Sequence, residues 1–384
     1  MHTRSGPKRA VALSGLLTAV VALSGCGNGD SDEQTSIADP LAVTYDGGIH
    51  LLDGTTLERG GGVEIGGFNR VNPAGDDRHV IVSTADGFEV LDAAGARFTG
   101  IEFPGPKPGH VVRHAGRTVL FSDGTGTVIS FDPAELAAGK PETTEYQSAA
   151  PHHGVAVELE SGELAVTLGT EEERAGLAIL DAGRKEITRN EKCPGVHGEA
   201  TAAGDTLVVG CENGVLVYRD GKLTKISSPD SYGRIGNQAG SEVSPIVLGD
   251  YKTDEHAELE RPERVSLIDT EKGTLRLVDL GTSYTFRSLA RGPQGEALVL
   301  GTDGAIHVID PVAGTVTRTI DVLDPWQEPI DWQQPRPALF VRDSIAYVSD
   351  PATKQIHRID LATGAITGSA TLPDIPNELS GVSS

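Results

Sequence analysis

Three histidines occupy matching positions in the chain, each beside a glycine and each ahead of an apolar, strand-like run. They are His110 in KPGHVVRH, His153 in APHHGVAVE and His197 in CPGVHGEA. Each stands six to nine residues before a glycine-centred turn. Zn²⁺ binds neutral imidazole nitrogen, and imidazole also suits copper and nickel. The pattern therefore predicts a histidine metal site, with zinc as the expected ion, in a fold that brings these three loops together.

Two acidic residues are candidates for a fourth ligand, because zinc in proteins usually has four ligands in a tetrahedron. Glu199 follows His197 by two residues, and alternate residues of an extended strand point to the same face. Glu378, near the C terminus, is a weaker candidate. We therefore expect the three histidines and Glu199 to form the ligand set.

Two further histidines lie close to the predicted ligands in the sequence. His152 directly precedes His153, and His114 lies further along the strand predicted in its own repeat. A His-Gly pair is shared by His153 and His197, which favours His153 over His152 as the ligand. His114 and His152 are expected either to bind the metal themselves or to hold a ligand in place from outside.

Strands joined by tight turns must position these residues, since strand-like runs dominate the chain. Typical runs are TVLFSDGTGTVISFD and EALVLGTDGAIHVID, each an apolar strand, a turn with Asp-Gly or a similar pair, and a second strand. The second strands end in aspartates spaced 39 to 50 residues apart, at Asp53, Asp92, Asp132, Asp181, Asp220, Asp269, Asp310 and Asp360. Repeats of this length are typical of a β-propeller. The sequence therefore predicts an all-β propeller, with eight blades expected and seven as the alternative.

A single propeller domain is expected over residues 41–384. Its first unit, LAVTYDGGIHLLD, is short on the N-terminal side, and a strand-like piece, AITGSATLPDIPNELSGV, follows the last aspartate. The C-terminal strand is therefore predicted to complete the first blade and close the ring, which removes exposed sheet edges. Three polar or proline-rich insertions, at 170–176, 250–264 and 324–337, are expected to project from a rim of the ring.

Residues 1–26 are predicted to be a lipoprotein signal peptide. Basic residues precede an apolar run of about 13 residues, too short to span a bilayer, and the run closes on LSGC, which resembles a lipobox. Cys26 is therefore the expected site of lipidation, and residues 27–40 are the expected flexible acidic tether. These features predict an exported protein that is lipid-anchored at the outer face of the cell membrane.

Two cysteines remain after the lipobox. An exported chain permits Cys193 and Cys211 to pair as a disulfide bond across adjacent strands. Zinc binding by this pair is the alternative, although neither residue lies in a CxxC motif. We expect the disulfide.

The longer motifs around these residues resemble those of the AztD-type zinc metallochaperones. The resemblance is carried by GGFNRVNPAGDDRHVIVST (66–84), KPGHVVRHAG, HHGVAVE, CPGVHGEA, GRIGNQAGSE (233–242) and TSYTFRSLARGP (282–293). It implies an extracytoplasmic β-propeller that binds zinc through histidines and passes it to the solute-binding protein of a zinc ABC importer. Members of this family can carry a histidine-rich N-terminal segment, whereas residues 27–45 of this chain contain no histidine.

A zinc carrier that is not an enzyme is therefore the function that the sequence favours. The net charge of −23 argues against a nucleic-acid partner. The common motifs of hydrolases, nucleotide-binding sites and calcium-binding loops are absent from the sequence. Two alternatives stay open: a metal-dependent propeller hydrolase of lactones or esters, since catalytic zinc keeps a position for water, and a metal-free interaction scaffold.

Overall fold

Short apolar runs separated by glycine- and aspartate-containing turns fold into successive antiparallel hairpins in the computed structural model, which describes residues 36–382. These hairpins form eight four-stranded sheets. The chain is therefore an all-β propeller of eight blades, as predicted, and the seven-bladed alternative is wrong. Residues 1–35, which include the predicted lipidation site Cys26, and residues 383–384 lie outside the described part.

Blades 1 to 4 form the first half of the ring. Blade 1 contains β1 Leu41–Tyr45, β2 Gly47–Leu52 and β3 Arg59–Ile65; blade 2 contains β4 Arg70–Pro73, β5 His79–Ser83, β6 Gly87–Asp92 and β7 Arg97–Pro104; blade 3 contains β8 Pro108–His114, β9 Arg117–Ser122, β10 Thr127–Phe131 and β11 Thr143–Gln147; blade 4 contains β12 Ala156–Glu158, β13 Leu164–Gly169, β14 Arg174–Leu180 and β15 Glu186–Asn190.

The second half of the ring repeats this arrangement. Blade 5 contains β16 His197–Ala202, β17 Thr206–Cys211, β18 Gly214–Arg219 and β19 Lys222–Ser227; blade 6 contains β20 Gln238–Ala239, β21 Ile246–Gly249, β22 Arg264–Asp269 and β23 Thr274–Asp279; blade 7 contains β24 Tyr284–Arg291, β25 Ala297–Gly301, β26 Ala305–Asp310 and β27 Thr315–Asp321; blade 8 contains β28 Leu339–Arg342, β29 Ile345–Asp350, β30 Gln355–Asp360 and β31 Ala365–Thr371. A short 3₁₀ helix, Pro133–Ala138, follows β10. Within residues 36–382, no helix combines the length and the apolarity that a bilayer crossing requires.

The ring is closed by the C-terminal strand, as the sequence predicts. Strand β32, Leu379–Gly381, pairs antiparallel with β1, so that Leu41 lies opposite Gly381 and Val43 opposite Leu379. Blade 1 therefore contains both ends of the described chain. Strand β32 also contacts β4 of blade 2 and β28 of blade 8, as expected for the innermost strand of a closed ring.

The core lies between neighbouring blades. Val208 and Val217 of blade 5, for example, pack in one buried cluster with Val247 and Ile268 of blade 6. Each sheet is covered on both faces by its neighbours, so the second and third strands of a blade are apolar along their length instead of alternating. The outermost strands face solvent, and β27 has the mostly exposed pattern that this position predicts.

A disulfide bond ties the start of blade 5 to its second strand. Cys193, in the loop before β16, is bonded to Cys211 at the end of β17, and both residues are fully buried. The predicted pairing is therefore confirmed. The bond fixes the loop that leads directly into His197.

One face of the ring contains the loops that precede each first strand and the turns between second and third strands, and we call it the ligand face. The insertion in blade 4 joins β13 to β14, and the insertion in blade 6 joins β21 to β22. The insertion at 324–337 leads from β27 into the first strand of blade 8. All three insertions therefore lie on the ligand face.

Candidate metal centre

The three histidines that occupy matching positions in the sequence meet on the ligand face. One ring nitrogen from each of His110, His153 and His197 lies within 4.8 Å of the other two. The centroids of the rings are 5.4 Å apart for His110 and His153, 5.5 Å for His110 and His197, and 4.9 Å for His153 and His197. They come from blades 3, 4 and 5, which shows that equal positions in successive repeats become neighbours around the axis.

β-Bulges at the first strands direct two of these histidines. The pairing register shifts between Pro108 and Val111 in β8, and between His197 and Glu199 in β16. Bulges bend a strand and change the direction of its side chains, and they are frequent beside functional sites. Gly198 has φ +70°, and a Cβ atom there would lie 2.4 Å from the carbonyl oxygen of Gly236. Only glycine fits this bulge without displacing the neighbouring loop.

Each of the three rings has an oxygen atom beside its Nδ1. For His153 this is Asp123 Oδ2 at 2.5 Å, and for His197 it is the Gly236 carbonyl oxygen at 2.6 Å. For His110 it is Glu199 Oε2 at 3.1 Å. When Nδ1 of His153 and Nδ1 of His197 carry the proton and donate it to these oxygens, Nε2 is the unprotonated nitrogen of both rings, whereas Glu199 Oε2 contacts His110 Nδ1 without forming a hydrogen bond. That tautomer is the one in which an imidazole binds a metal, and an acceptor of this kind is the usual support for a metal-binding histidine.

Asp123 is the supporting residue for His153, and the reasoning from sequence missed it. It lies in the turn between β9 and β10, and its Oδ1 also accepts the Gly154 backbone N–H at 3.2 Å. A Cβ atom on Gly109 would lie 2.2 Å from this same oxygen, so glycine leaves room for the carboxylate. The signal available in the sequence was the Asp-Gly turn of blade 3, which lies at the same end of the blade as His110.

The acceptor for His197 is fixed from blade 6. Asp250, which is buried, accepts the backbone N–H groups of Gly236 and Asn237 through Oδ1, at 2.6 and 3.0 Å. Its other oxygen accepts from the Asn237 side chain at 3.1 Å. The Gly236 carbonyl is therefore held rigidly against the His197 ring. Asp250 begins the insertion of blade 6, so this insertion supports the site as well as projecting from the rim.

Glu199 contacts His110 and is not among the candidate ligand atoms that converge within 4.8 Å. The expectation of a ligand role rested on simple alternation along β16, and the bulge at Gly198 interrupts that alternation. Glu199 Oε2 instead lies 3.1 Å from His110 Nδ1 and has no hydrogen-bond partner among the described residues. This contact places a carboxylate beside a candidate ligand.

The other candidates are not brought to the cluster. Both ring nitrogens of His152 are engaged, with a backbone carbonyl and with a threonine hydroxyl. His114 lies at the far end of β8, where its Nε2 contacts Asp205 Oδ1 at 2.5 Å. Glu378 is paired with the buried Arg287 at 2.5 Å. Each of these side chains has a partner of its own away from the three rings.

The electrostatic environment keeps His197 neutral. Burial is the main cause that lowers the pKa of His197 well below 6.5, and the charges that His110 and His153 would carry lower it further. A neutral imidazole is the form that binds a metal ion. At neutral pH this ring is therefore ready to bind without first losing a proton.

The cluster opens into a cavity of about 510 Å³ on the ligand face. Its walls combine the histidines and Glu199 with two cationic side chains, Arg70 and Lys252. Phe286 and Trp332 form the apolar part of the wall. Trp332 belongs to the insertion at 324–337 and Lys252 to the insertion in blade 6, so two of the three insertions reach the rim of the candidate site.

Known proteins are similar to this chain in sequence and in fold. No protein-family model matches the chain. A zinc chaperone, AztD of Citrobacter koseri, is 27% identical over 281 residues, which are 70% of this chain and 64% of the relative. The aligned part therefore spans less than two thirds of that relative's length.

Solved structures show the same fold. Two structures of Citrobacter koseri AztD, one of them the apo form, superimpose with a TM-score of 0.77 at 22% identity, over 90% of this chain and 98% of theirs. The dihydro-heme d1 dehydrogenase NirN, in complex with DHE, has a TM-score of 0.58 at 13% identity, over 90% of this chain and 75% of its own. The resemblance to AztD-type zinc chaperones that the sequence predicts is therefore confirmed in sequence and in fold.

Proposed function

We propose that this protein is an exported zinc carrier, which binds one Zn²⁺ through His110, His153 and His197 on the ligand face and delivers it to an acceptor protein. The observation that carries the proposal is the common arrangement of the three rings. One ring nitrogen of each histidine lies within 4.8 Å of the other two, and Nδ1 of His153 and of His197 is held by an oxygen, which leaves Nε2 of these two rings for an ion. Imidazole nitrogen at this spacing suits Zn²⁺, which binds it at about 2.0–2.1 Å.

The name of the relative supports a carrier over the two alternatives that the sequence left open. AztD of Citrobacter koseri is named a zinc chaperone, which is a binding function and not a catalytic one. The present chain has three convergent imidazoles where a metal-free scaffold would need none. We therefore propose a protein that is not an enzyme and whose zinc is cargo.

The acceptor that we propose is the solute-binding protein of a zinc ABC importer. Two of the three insertions on the ligand face form a rim beside the candidate site, and such a rim is suited to docking a second protein. Lipidation at Cys26 would keep the carrier at the outer face of the cell membrane, near an importer. Both the acceptor and the anchor are part of the proposal.

Zinc binding by single variants tests the metal site. We expect the protein without its leader to bind one Zn²⁺ per chain in a competition titration against a chromophoric chelator. His110→Ala, His153→Ala and His197→Ala should each weaken binding by more than about 100-fold, since loss of a supporting residue alone costs 10–100-fold. His256→Ala is the matched control, because this histidine is highly exposed in the blade 6 insertion. The proposal is wrong if the three variants bind zinc as tightly as the control.

Delivery is tested separately. Zinc-loaded protein is mixed with the metal-free solute-binding protein of a zinc importer from the same organism, and the zinc content of each is followed after rapid separation. In a parallel reaction, a small chelator replaces the acceptor and gives the rate at which zinc leaves the carrier. Direct transfer predicts that zinc reaches the acceptor faster than this rate. Equal rates would mean that zinc passes through solution, and the carrier function would then lack its second step.

A further inference from the structure

We infer that the cavity beside the three histidines is a carboxylate-binding site, and that a carboxylate from outside residues 36–382 provides the fourth ligand of the metal. The inference rests on the proposed zinc site and adds to it the chemistry of the remaining coordination position. Three features of the described residues carry it: an incomplete ligand set, the charges on the cavity wall, and the shape that the aromatic residues give to that wall.

The ligand set is incomplete within residues 36–382. The converging ligand atoms are three imidazole nitrogens, and no carboxylate or cysteine joins them. Glu199 Oε2 lies 3.1 Å from His110 Nδ1 and is not one of the converging atoms. Zinc with three protein ligands keeps a fourth position open to water or to an incoming ligand. That position faces the cavity, because the three histidines form part of its wall.

The wall of the cavity is cationic in a strongly acidic protein. The chain contains 55 acidic and 32 basic residues. Among the residues that line the cavity, however, Arg70 and Lys252 are basic and Glu199 is the one acid. Positive side chains around an opening attract anions.

Within residues 36–382, neither cation has a close ion pair of its own. The Lys252 ammonium interacts with Glu328 electrostatically, but no carboxylate of the described residues lies within 4.0 Å of it. Arg70 Nε lies 3.8 Å from Glu378 Oε1, but that oxygen is already paired with Arg287 Nη2 at 2.5 Å. The Arg70 side chain is 45% exposed and remains available to a ligand in the cavity.

A carboxylate fits this combination of groups. One of its oxygens can bind the metal, which takes carboxylate oxygen at about 2.0–2.2 Å, while the other accepts hydrogen bonds from a guanidinium or an ammonium. Phe286 and Trp332 cover the apolar part of the wall and would contact the carbon chain that carries the carboxylate. Water bound to the metal is thereby replaced without the loss of a histidine, which is a first step of ligand exchange.

The carboxylate has two possible sources, and the chemistry of the site is the same for both. It is either a Glu or Asp side chain of the acceptor protein or a small dicarboxylate in solution. The probes are therefore malonate, and a short peptide with blocked termini that contains one glutamate between apolar residues. Inorganic phosphate and chloride serve as the comparison anions.

Cobalt absorption gives a direct readout. Co²⁺ replaces zinc in the protein without its leader, and its visible absorption bands report the ligands and their number. We expect malonate or the glutamate peptide to shift the bands in a saturable way, and phosphate and chloride to shift them at least about tenfold more weakly, because phosphate has no carbon chain to contact the apolar wall and chloride has no pair of oxygens to match the Arg70 guanidinium. A response to malonate alone assigns a small-molecule source, and a response to the peptide alone or to both assigns a protein side chain.

Charge variants identify the site. Arg70→Gln and Lys252→Gln should each weaken the carboxylate titration by about tenfold, as expected for loss of a charged hydrogen bond, and leave Co²⁺ affinity nearly unchanged. Lys107→Gln is the matched control, since Lys107 is highly exposed on the ligand face beside Glu171 and does not line the cavity. It should leave the titration unaltered.

The outcomes separate this inference from the proposed function. If the protein binds no Co²⁺ or Zn²⁺, the zinc-carrier function fails and the carboxylate site fails with it. If Co²⁺ binds and neither carboxylate shifts its bands, or phosphate and chloride shift them equally well, the carboxylate inference alone is overturned. It is also overturned if Arg70→Gln, Lys252→Gln and Lys107→Gln all titrate as the unmodified protein does.

Discussion

Asp123 provides a demanding test of how the site is built, because it binds no metal in this arrangement. Its Oδ2 accepts from His153 Nδ1 at 2.5 Å, and its Oδ1 accepts from the Gly154 N–H at 3.2 Å. The change Asp123→Ala removes both contacts and leaves the three imidazoles in the chain. If the carboxylate orients His153 and fixes its tautomer, zinc binding should weaken although every ligand is still present.

The size of the effect follows from the environment of this contact. A hydrogen bond to a charged group contributes about 1.5–3 kcal/mol. The His153 side chain is 44% exposed, so water competes for its nitrogen and the lower end of the range applies. About 1.5 kcal/mol corresponds to roughly a tenfold change in dissociation constant. Loss of orientation adds to this, and supporting residues of metal sites are worth 10–100-fold. We therefore expect Asp123→Ala to weaken zinc binding by about 10–30-fold, and Asp123→Asn, which keeps a neutral acceptor, by about 3–10-fold.

A second His-Asp pair, formed between blades 3 and 5, supplies the control. His114 contacts Asp205 at 2.5 Å, the same distance as in the His153-Asp123 pair, but away from the converging rings. Asp205→Asn therefore removes an equivalent charge from an equivalent contact, and asparagine tolerates the positive φ of 52° at this position. Competition titrations with a chromophoric chelator measure the dissociation constants, and thermal unfolding checks that each variant is folded.

Two results would refute the reasoning about Asp123. One is a folded Asp123→Ala protein that binds zinc within about twofold of the unmodified protein, a difference of less than about 0.5 kcal/mol. The other is an Asp205→Asn protein that loses as much affinity as Asp123→Asn, since the effect would then come from the general charge of the protein.

Two further predictions concern the titration of the site and the stability of the ring. His197 should titrate below pH 6.5 in the metal-free protein, because burial and the neighbouring histidines lower its pKa. As the pH falls, the unfolded chain takes up a proton on His197 before the folded protein does. The metal-free protein should therefore lose stability as the pH falls from 6.5 towards the pKa of His197 in the folded state. An NMR titration of the ring with a midpoint at or above 6.5 contradicts this. Replacing Cys193 and Cys211 with serine opens a closed loop with a sequence separation of 18 residues and should lower the free energy of unfolding by about 2–4 kcal/mol. Urea unfolding with and without reductant measures the loss, and an unchanged midpoint would show that the bond contributes no stability.

Much of the fold could be predicted because its signals are local. A turn with Asp-Gly between two apolar runs specifies a hairpin whatever the rest of the chain does, and the regular return of a closing aspartate specifies the repeat. The C-terminal strand could be predicted from the missing strand of the first unit, and β32 completes blade 1 as expected. Even the meeting of His110, His153 and His197 follows from equal repeat positions once the repeats form a ring.

The roles around the ligands could not be predicted in this way. Glu199 was expected to bind metal because strands alternate, but the bulge at Gly198 changes the register. Bulges depend on how a strand pairs with its neighbours, and a single sequence window does not contain that information. The acceptors for His153 and His197 lie 30 and 39 residues away in the chain, on turns and loops of adjacent blades.

The sequence by itself determined the strand-and-turn pattern, the length of the repeat, the closing strand and the three histidines at equal positions, because each depends on short-range periodicity. Only the tertiary structure decided which ring nitrogens are free, that Glu199 faces His110, and that Arg70 and Lys252 meet on the wall of one cavity. These arrangements arise when eight sheets pack around one axis and bring distant loops into contact. Their distances depend on that packing, which acts across the whole ring.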